Sequence, residues 1–447
     1  MMRDRRFWLL FAVALAVRVV LMPLPEPIDF DLAYFFFPWM RYSAVHSVVE
    51  FYLYGEPLVN YPPLFVLLLS GLSKLYAQLV PSLEITPLQY VLIKLPTVVA
   101  DMATGVVLYL AAAGTEQRRG KTDSRLPLLA AGRWLLNPAV VHVSSVWGQF
   151  EAIQALWMMA ALLAAARKRW GWSGVFMGLA LLTKTQAITI APLLGPPAWW
   201  GGRRALLRWG GTVVAVMAAG LLPFWFGGAA QSLRSLYLDA VGYYPAMSMN
   251  AYNPWFIAHI RTRELLGYWV EDSTALLGPV TIRHVGMALV IGYALLVLLI
   301  LYRRWRAPSG HPAAGADAAQ QIGTFFAAGL LIFGFFMLAT EMHERYILPA
   351  LAPLALAAAL LRPARLPFVL LSATIFLNLI HVLPLTRGQI QWMETLPDIR
   401  FAISAANTVL LVWWTWLFVR GKRMLASSGF PPDLQGIATD GLATLPD

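Results

Sequence analysis

Residues 280–306 read VTIRHVGMALVIGYALLVLLILYRRWR, an almost unbroken apolar run that ends in three arginines. A helix of about 20 mostly apolar residues is long enough to cross the hydrocarbon core of a bilayer. Arginines that directly follow such a run are typical of the cytoplasmic end of a membrane span. The stretch therefore predicts a transmembrane helix together with its direction, and the same pattern recurs along the chain.

The composition extends this prediction to the whole chain. Of 447 residues, 59% are hydrophobic and 13% are charged, whereas soluble domains carry about 25% charged residues. The net charge of +11 does not indicate nucleic-acid binding, because the basic residues lie between apolar runs and not on a soluble domain. The absence of cysteine excludes disulfides and thiol chemistry. We predict an all-α polytopic membrane protein.

The basic residues also predict the topology. The apolar runs are 7–24, 61–80, 88–112, 127–146, 152–166, 171–182, 186–200, 209–227, 280–302, 321–340, 346–361, 365–386 and 401–420. If the N-terminus is inside and 61–80 lies on the outer surface, most of the 34 basic residues fall in short inside loops. The prediction is a bundle of about 12 transmembrane helices (11–14), with both termini cytoplasmic and juxtamembrane helices in a long first outside loop.

This topology divides the chain into four parts. They are an N-terminal module at 1–227 with its first outside loop at about 25–87, an outside loop at 228–279, a C-terminal transmembrane module at 280–420, and a tail at 421–447. The tail is polar and contains Gly and Pro, which predicts a disordered cytoplasmic segment.

Polar groups interrupt the apolar runs on the face that the charges place outside. They are Asp29, Asp31, Tyr61, Trp147, Gln149, Glu151, Lys184, Gln186, Asn250, Asn253, His343, Glu344 and Arg345. Charge at such positions is costly unless it is paired or faces a cavity, so the pattern predicts one outward-facing polar site. A carboxylate suits general-base work on a hydroxyl, and cations suit a lipid phosphate.

Several of these residues also fit a purely structural role. Glu344 with Arg345 is consistent with a structural ion pair, and Lys184 with a cation that satisfies carbonyl groups where a helix breaks. Asp101 follows Lys94 by two helical turns in an apolar run, which favours a buried structural pair. For Asp29 and Asp31, solvated loop acids and functional carboxylates both remain open.

Seven segments, taken in order, resemble the GT-C superfamily of integral-membrane glycosyltransferases. They are Asp31 with Phe35, Pro38 and Trp39; Asn60-Tyr61-Pro62-Pro63-Leu64; Lys94-Leu95-Pro96 before Ala100-Asp101; Trp147-Gly148-Gln149-Phe150-Glu151; Lys184-Thr185-Gln186; Asn250-Ala251-Tyr252-Asn253-Pro254-Trp255; and Met342-His343-Glu344-Arg345-Tyr346. Within the superfamily they look most like bacterial proteins related to the second mannosyltransferase of the GPI-anchor pathway. They are also similar to dolichyl-phosphate-glucose glucosyltransferases.

The resemblance implies a GT-C-like bundle that carries out an inverting transfer of one sugar, with mannose as the first candidate. The donor would be a polyprenyl-phosphate sugar, and the acceptor a hydroxyl of a glycolipid, glycan or protein outside the bacterial cytoplasmic membrane. No nucleic acid and no cofactor are expected, and the reaction is expected to be metal-independent because cations at the rim can stabilise the leaving phosphate.

The resemblance also implies roles for single residues. Asp31 becomes the general base, with Asp29 as second candidate, and His343 and Arg345 contact the donor phosphate together with Lys184. The site would be lined by Tyr61, Trp147, Gln149, Glu151, Gln186, Asn250, Asn253 and Glu344. Glu151 departs from the pattern, because related bacterial sequences often have Asp at this position, and its role stays open.

The main alternative is a transporter or flippase for lipid-linked sugars, which would also need a polar cavity and cations for phosphate. Such a protein is expected to show matched halves and polar residues throughout the membrane depth, whereas these gather at one rim. A non-catalytic subunit of a larger glycosyltransferase complex is the third reading.

Overall fold

The computed structural model describes residues 4–25, 31–54, 59–118, 120, 125–239, 241–306, 313–385 and 399–421, without the side chains of 306, 313–316 and 383–385. Within these ranges the protein is almost entirely helical, and the only sheet is a two-stranded antiparallel hairpin. Asp29 and the predicted tail from residue 422 onward lie outside the described residues.

In the described residues of the first half of the chain there are twelve α-helices. They are α1 (Arg5–Leu21), α2 (Phe37–Val45), α3 (Val48–Tyr54), α4 (Pro63–Leu79), α5 (Pro87–Arg118), α6 (Arg125–Leu135), α7 (Pro138–Val141), α8 (Glu151–Ala166), α9 (Trp170–Thr183), α10 (Gly195–Trp200), α11 (Arg203–Phe224) and α12 (Ala230–Tyr237). π-Helical turns are present at Leu32–Phe36, His142–Trp147 and Trp225–Ala229, and a 3₁₀ segment at Thr185–Leu193.

The second half is simpler in the part that the structure describes. It contains α13 (Pro254–Leu266), β1 (Ala275–Leu277), β2 (Val280–Thr281), α14 (Ile282–Arg306), α15 (Ala313–Leu338), α16 (Leu348–Leu360), a 3₁₀ turn (Arg362–Ala364), α17 (Arg365–Leu385) and α18 (Ile399–Val419). The segment 228–279, which was predicted to be an outside loop, contains three regular elements, α12, α13 and β1.

Six helical stretches in the described ranges are long and apolar enough to cross a membrane. They are Pro87–Arg118, Arg203–Tyr237, Ile282–Trp305, Asp317–Leu338, Arg362–Val382 and Ile399–Val419. Four shorter apolar helices accompany them, namely α4, α8, α9 and α16. The protein is an all-α integral membrane protein, as predicted, while the predicted number of about 12 spans stays a prediction.

The centre of the bundle is α16, whose residues are all buried. It packs against α15, α6, α8 and α5. A helix that is apolar on every side belongs inside a bundle, and the run of Ala and Leu from 354 to 360 lets its neighbours approach closely. By contrast, α11 and α14 leave most of their apolar surface uncovered, as helices that face lipid do.

Two of the predicted runs are not single helices. The run 127–146 is interrupted after α6, where the Asn137 side chain accepts the Ala139 N–H at 3.0 Å and caps α7. The run 186–200 consists of a 3₁₀ segment followed by the short helix α10. Pro192, Pro196 and Pro197 each lack an N–H for a continuous α-helix, which explains the break.

The predicted pairing of Lys94 with Asp101 is wrong. Arg18 of α1 instead donates through Nε to Asp101 Oδ2 at 3.2 Å, and through Nη1 to the Leu135 carbonyl at 2.8 Å. Lys94 Nζ donates to the Leu24 carbonyl at 2.7 Å. Seven residues along a helix correspond to about 10 Å of rise, so the carboxylate is closer to a cation on a neighbouring helix.

An aromatic cluster joins the segment predicted to be the first outside loop to the bundle. Phe36, Trp39, Phe65 and Phe150 pack with the centroids of neighbouring rings 4.5–6.0 Å apart. Such pairs combine a large buried apolar area with favourable ring geometry. Since Phe36 lies five residues after Asp31 and Phe150 directly precedes Glu151, the cluster brings the two acidic segments to one place.

Candidate active site

Asp31 lies at the start of the π-helical turn Leu32–Phe36 and is half-buried. Trp147 Nε1 donates to Asp31 Oδ2 at 2.9 Å, and Gln149 Nε2 donates to the same oxygen at 2.6 Å. Within the described residues no hydrogen bond involves Oδ1 of this carboxylate. The side chain is thus held in one orientation with one oxygen available to an incoming hydroxyl.

Both of these donor side chains belong to the turn Trp147-Gly148-Gln149. Gly148 has a φ of 80°, and a Cβ there would lie 3.1 Å from Lys94 Cγ, so only glycine fits without strain. The Gln149 carbonyl accepts the Thr97 hydroxyl at 2.9 Å, and its Oε1 accepts the Tyr61 hydroxyl at 3.4 Å. Of the three π-helical turns in the ranges that the structure describes, two thus adjoin Asp31 or this turn, and such turns are frequent at functional sites.

Glu151, the first residue of α8, contacts both basic side chains of the site, Lys184 and Arg345. Its Oε1 accepts a hydrogen bond from Lys184 Nζ and lies 3.3 Å from Arg345 Nε. The carboxylate is fully buried, and Oε2 has no hydrogen-bond partner among the described residues. A buried carboxylate of this kind is stable only beside cations, so Glu151 fixes the positions of Lys184 and Arg345.

Arg345 connects this pair to the rest of the site. Its Nη1 donates to Glu344 Oε1 at 2.8 Å, and its guanidinium carbon lies 5.3 Å from the centroid of the Trp147 ring. Lys184 Nζ lies 4.9 Å from the centroid of the Tyr346 ring. Cation–π contacts of this type add to the ion pairs.

His343 is neutral in this arrangement. Its Nδ1 lies 4.0 Å from Glu344 Oε2. Burial, together with the positive charges of Arg345 and Lys184, holds the pKa of His343 well below its usual value. Burial also raises the pKa of Glu344, an effect that the charge of Arg345 opposes. Asp31, Glu151 and Glu344 face the basic side chains of Lys184 and Arg345, so the site has no excess of basic over acidic groups before an anion binds.

Two aromatic residues outside the predicted set complete the site. The Tyr244 hydroxyl accepts Asn60 Nδ2 at 2.9 Å, and its ring meets that of His343 edge-on at 5.1 Å. The Tyr346 ring lies 5.0 Å from that of His343. Tyr346 is the last residue of the quoted segment Met342–Tyr346 but has no role in the predicted site, whereas Tyr244 lies in a loop whose sequence, VGYYPAM at 241–247, carries no motif.

Three predicted site residues do not reach this cluster with their side chains. Asn253 caps α13 by accepting the Phe256 N–H at 3.0 Å, and its Nδ2 donates to the Phe336 carbonyl. The backbone of Asn250 pairs with His343 while its side chain is exposed. The Gln186 side chain forms no hydrogen bond within the described residues. The helix cap and the backbone pairing explain why the two asparagines interrupt the apolar pattern.

No group of three or more His, Cys, Asp or Glu that could hold a metal ion is present in the part of the chain that the structure describes. The metal-independent reaction remains a prediction.

A model of glycosyltransferase family 87 matches residues 60–334, more than half of the sequence. The chain belongs to glycosyltransferase family 87. The match includes the Trp147–Glu151 segment and Lys184, while Asp31 precedes it and the His343–Arg345 segment follows it. The predicted membership of a family of membrane glycosyltransferases is confirmed.

Two solved structures are similar to this family 87 protein. ArnT from Cupriavidus metallidurans, crystallised with undecaprenyl phosphate, is 18% identical, with a TM-score of 0.47 and coverage of 96% of this chain and 74% of that chain. The Archaeoglobus fulgidus oligosaccharyltransferase, tethered to an acceptor peptide, is 12% identical, with a TM-score of 0.39 and coverage of 96% and 56%. No curated protein matches the sequence significantly.

Proposed function

We propose that the protein transfers a single sugar from a polyprenyl-phosphate donor to an acceptor hydroxyl on the outer face of a bacterial cytoplasmic membrane. Mannose is the first sugar to consider. The observation that carries the proposal is the half-buried carboxylate of Asp31. It is held by two N–H donors through one oxygen and lies beside the buried cluster of Lys184, Glu151 and Arg345.

The reaction is a direct displacement at the anomeric carbon. The acceptor oxygen forms a bond to this carbon while the bond to the phosphate oxygen breaks, and the electron pair leaves with the polyprenyl phosphate. Asp31 Oδ1 accepts the hydroxyl proton, a role that contributes about 10²–10⁴-fold to the rate. Attack from the side opposite the phosphate inverts the anomeric configuration.

The leaving phosphate is stabilised by Arg345, Lys184 and His343. Arginine presents five N–H groups in a planar fork, and two of its nitrogens, Nε and Nη1, lie beside Glu151 and Glu344. The remaining N–H groups can donate to a phosphate oxygen. Since carboxylates already balance Arg345 and Lys184, an added anion makes the surroundings of His343 more negative and favours its protonation.

We therefore expect donor affinity to weaken as pH rises. The pKa of His343 is below its usual value in the free protein and rises beside the phosphate, so donor binding takes up a proton. The dissociation constant should increase by up to about tenfold per pH unit between these two pKa values. It can be measured between pH 5.5 and 8.5 with undecaprenyl-phosphate mannose. A flat profile in the wild type, or an unchanged slope in His343→Gln, would contradict this assignment.

The direct test of the function uses the purified protein with a panel of polyprenyl-phosphate sugars, with and without EDTA. We expect release of polyprenyl phosphate together with a glycosylated product, detected by mass spectrometry, and no effect of EDTA. Movement of intact donor between the leaflets of vesicles, without product, would support the flippase instead.

A further inference from the structure

The loop that carries Tyr244 is tied to a single carboxylate that the proposed reaction does not use. Gly242 N–H donates to both carboxylate oxygens of Glu341, at 2.8 and 3.0 Å, and Tyr244 N–H donates to Oε2 at 3.2 Å. The Glu341 N–H in turn donates to the Ala246 carbonyl at 3.2 Å. The Met249 N–H continues this pairing by donating to the Met342 carbonyl at 2.9 Å.

Glu341 is itself fixed from the opposite side. Arg283 Nε lies 3.1 Å from Glu341 Oε1, and its guanidinium donates to both oxygens of the buried Asp272, at 2.7 and 3.1 Å. The Thr340 hydroxyl donates to Asp272 Oδ2 at 2.7 Å. Glu341 has a φ of 63°, a conformation that non-glycine residues keep only where several contacts impose it.

This arrangement determines one wall of the candidate active site. The loop at 242–249 pairs with the segment that leads directly into His343, and Tyr244 contacts both Asn60 and His343. Release of the loop would therefore remove the ring that packs against His343. It would also loosen the backbone immediately before this histidine.

We propose that Glu341 is a positioning residue that latches the 242–249 loop over the outer side of the site. Through this loop it holds Tyr244 against His343 and Asn60. The effect on turnover rests on the proposed glycosyl transfer, whereas the latch itself is a property of the fold and can be measured without activity.

The latch has a defined pH dependence. The groups that face Glu341 are Asp272, Arg283 and the amides of the loop. Burial and the charge of Asp272 raise the pKa of Glu341 to about 7, although the hydrogen bond from the Tyr244 N–H and the charge of Arg283 both lower it. Release of the loop exposes the carboxyl group to water and so removes part of the burial that is the largest cause of the shift, which lowers the pKa toward its ordinary value. Loop closure therefore takes up a proton, so it is strongest at low pH and weakens as pH rises through about 7.

The side-chain amide that Glu341→Gln introduces mimics the protonated carboxyl group. Its oxygen, at the position of Oε2, can accept both loop amides, while its NH₂ group can donate to Asp272 but cannot accept from Arg283 Nε. Glu341→Ala offers neither contact. The two variants thus separate the latch from the charge, and Glu264→Ala is a matched control, because Glu264 is an exposed acid paired only with Arg261 on the same helix within the described residues.

Hydrogen–deuterium exchange of the full-length protein in nanodiscs tests the latch. We expect residues 241–250 to exchange at least about tenfold faster in Glu341→Ala than in the wild type. After correction for intrinsic exchange, protection of the wild-type loop should fall between pH 5 and 8, while Glu341→Gln should stay protected throughout. Unchanged exchange in α16 reports that each variant is folded.

The kinetic test uses undecaprenyl-phosphate mannose and the acceptor that the wild type accepts. Glu341→Ala should lower kcat/KM by about 10- to 100-fold, with Glu341→Gln and Glu264→Ala close to wild type. The latch would be overturned if the 241–250 segment of Glu341→Ala exchanged at the wild-type rate. It would also be overturned if exchange in Glu341→Gln depended on pH as steeply as in the wild type. If the wild type transfers no sugar at all, the proposed function fails while the exchange result still stands.

Discussion

Asp31→Asn is expected to abolish sugar transfer, with a loss of about 10³-fold or more in kcat. Asparagine keeps the shape of the side chain, and its Oδ1 can accept both the Trp147 and the Gln149 N–H groups. Its amide nitrogen then occupies the position of the free carboxylate oxygen. This nitrogen donates and cannot accept a proton from the acceptor hydroxyl, so the base is lost while the local hydrogen bonds remain.

The experiment compares single-turnover rates and donor dissociation constants at a fixed pH. Donor binding should stay within a fewfold of wild type, because the cations that contact phosphate are unchanged, and thermal stability should be nearly unaffected. Asp29→Asn is the matched control, since it removes an acid two residues away and should retain turnover. Near-normal transfer by Asp31→Asn with Asp29 intact would reassign the base.

Much of the fold is predictable because membrane helices are encoded locally. The apolar run and arginine cluster at 280–306 correspond to α14, which the structure defines as Ile282–Arg306. Breaks inside such runs are harder to predict, since residues such as Asn137 act through a cap and not through hydropathy. The partner of Asp101 was not predictable, because the distance between α1 and α5 follows from packing across the bundle.

For the site, too, the sequence predicts which residues share a face but not which side chains pair with each other. The charge pattern grouped Asp31, Glu151, Lys184 and Arg345 on one face, and these residues do lie together in the structure. Their pairings join positions far apart in sequence, as in the contact of Glu151 with both Lys184 and Arg345. Such pairings depend on the crossing of α8 and α9 with the segment before α16.

Tyr244 and Glu341 were missed for a related reason. Tyr244 reaches the site only because the backbone amides of its loop bind a carboxylate almost a hundred residues later. A backbone donor leaves no trace in the sequence, because every residue except proline has one. The one available signal was an acid two residues before His343, on the face already predicted to be outside.

The second large effect is expected for Arg345→Met, which should lower kcat/KM for the donor by about 10²–10³-fold. The variant removes the planar guanidinium group that lies between Glu151 and Glu344, and with it the N–H groups that we propose donate to the phosphate. Arg345→Lys should recover only part of the activity, because one ammonium group cannot contact both carboxylates and a phosphate in the same geometry.

Arg345→Met should also be less stable, by about 3–5 kcal/mol, because it leaves the buried Glu344 without its cation. The Glu344→Gln/Arg345→Met double variant removes this unpaired charge and should regain much of the stability without regaining transfer. Arg261→Met, at an exposed ion pair, is the matched control and should change neither quantity. If the double variant recovers transfer together with stability, Arg345 supports the fold and makes no contact with the donor phosphate.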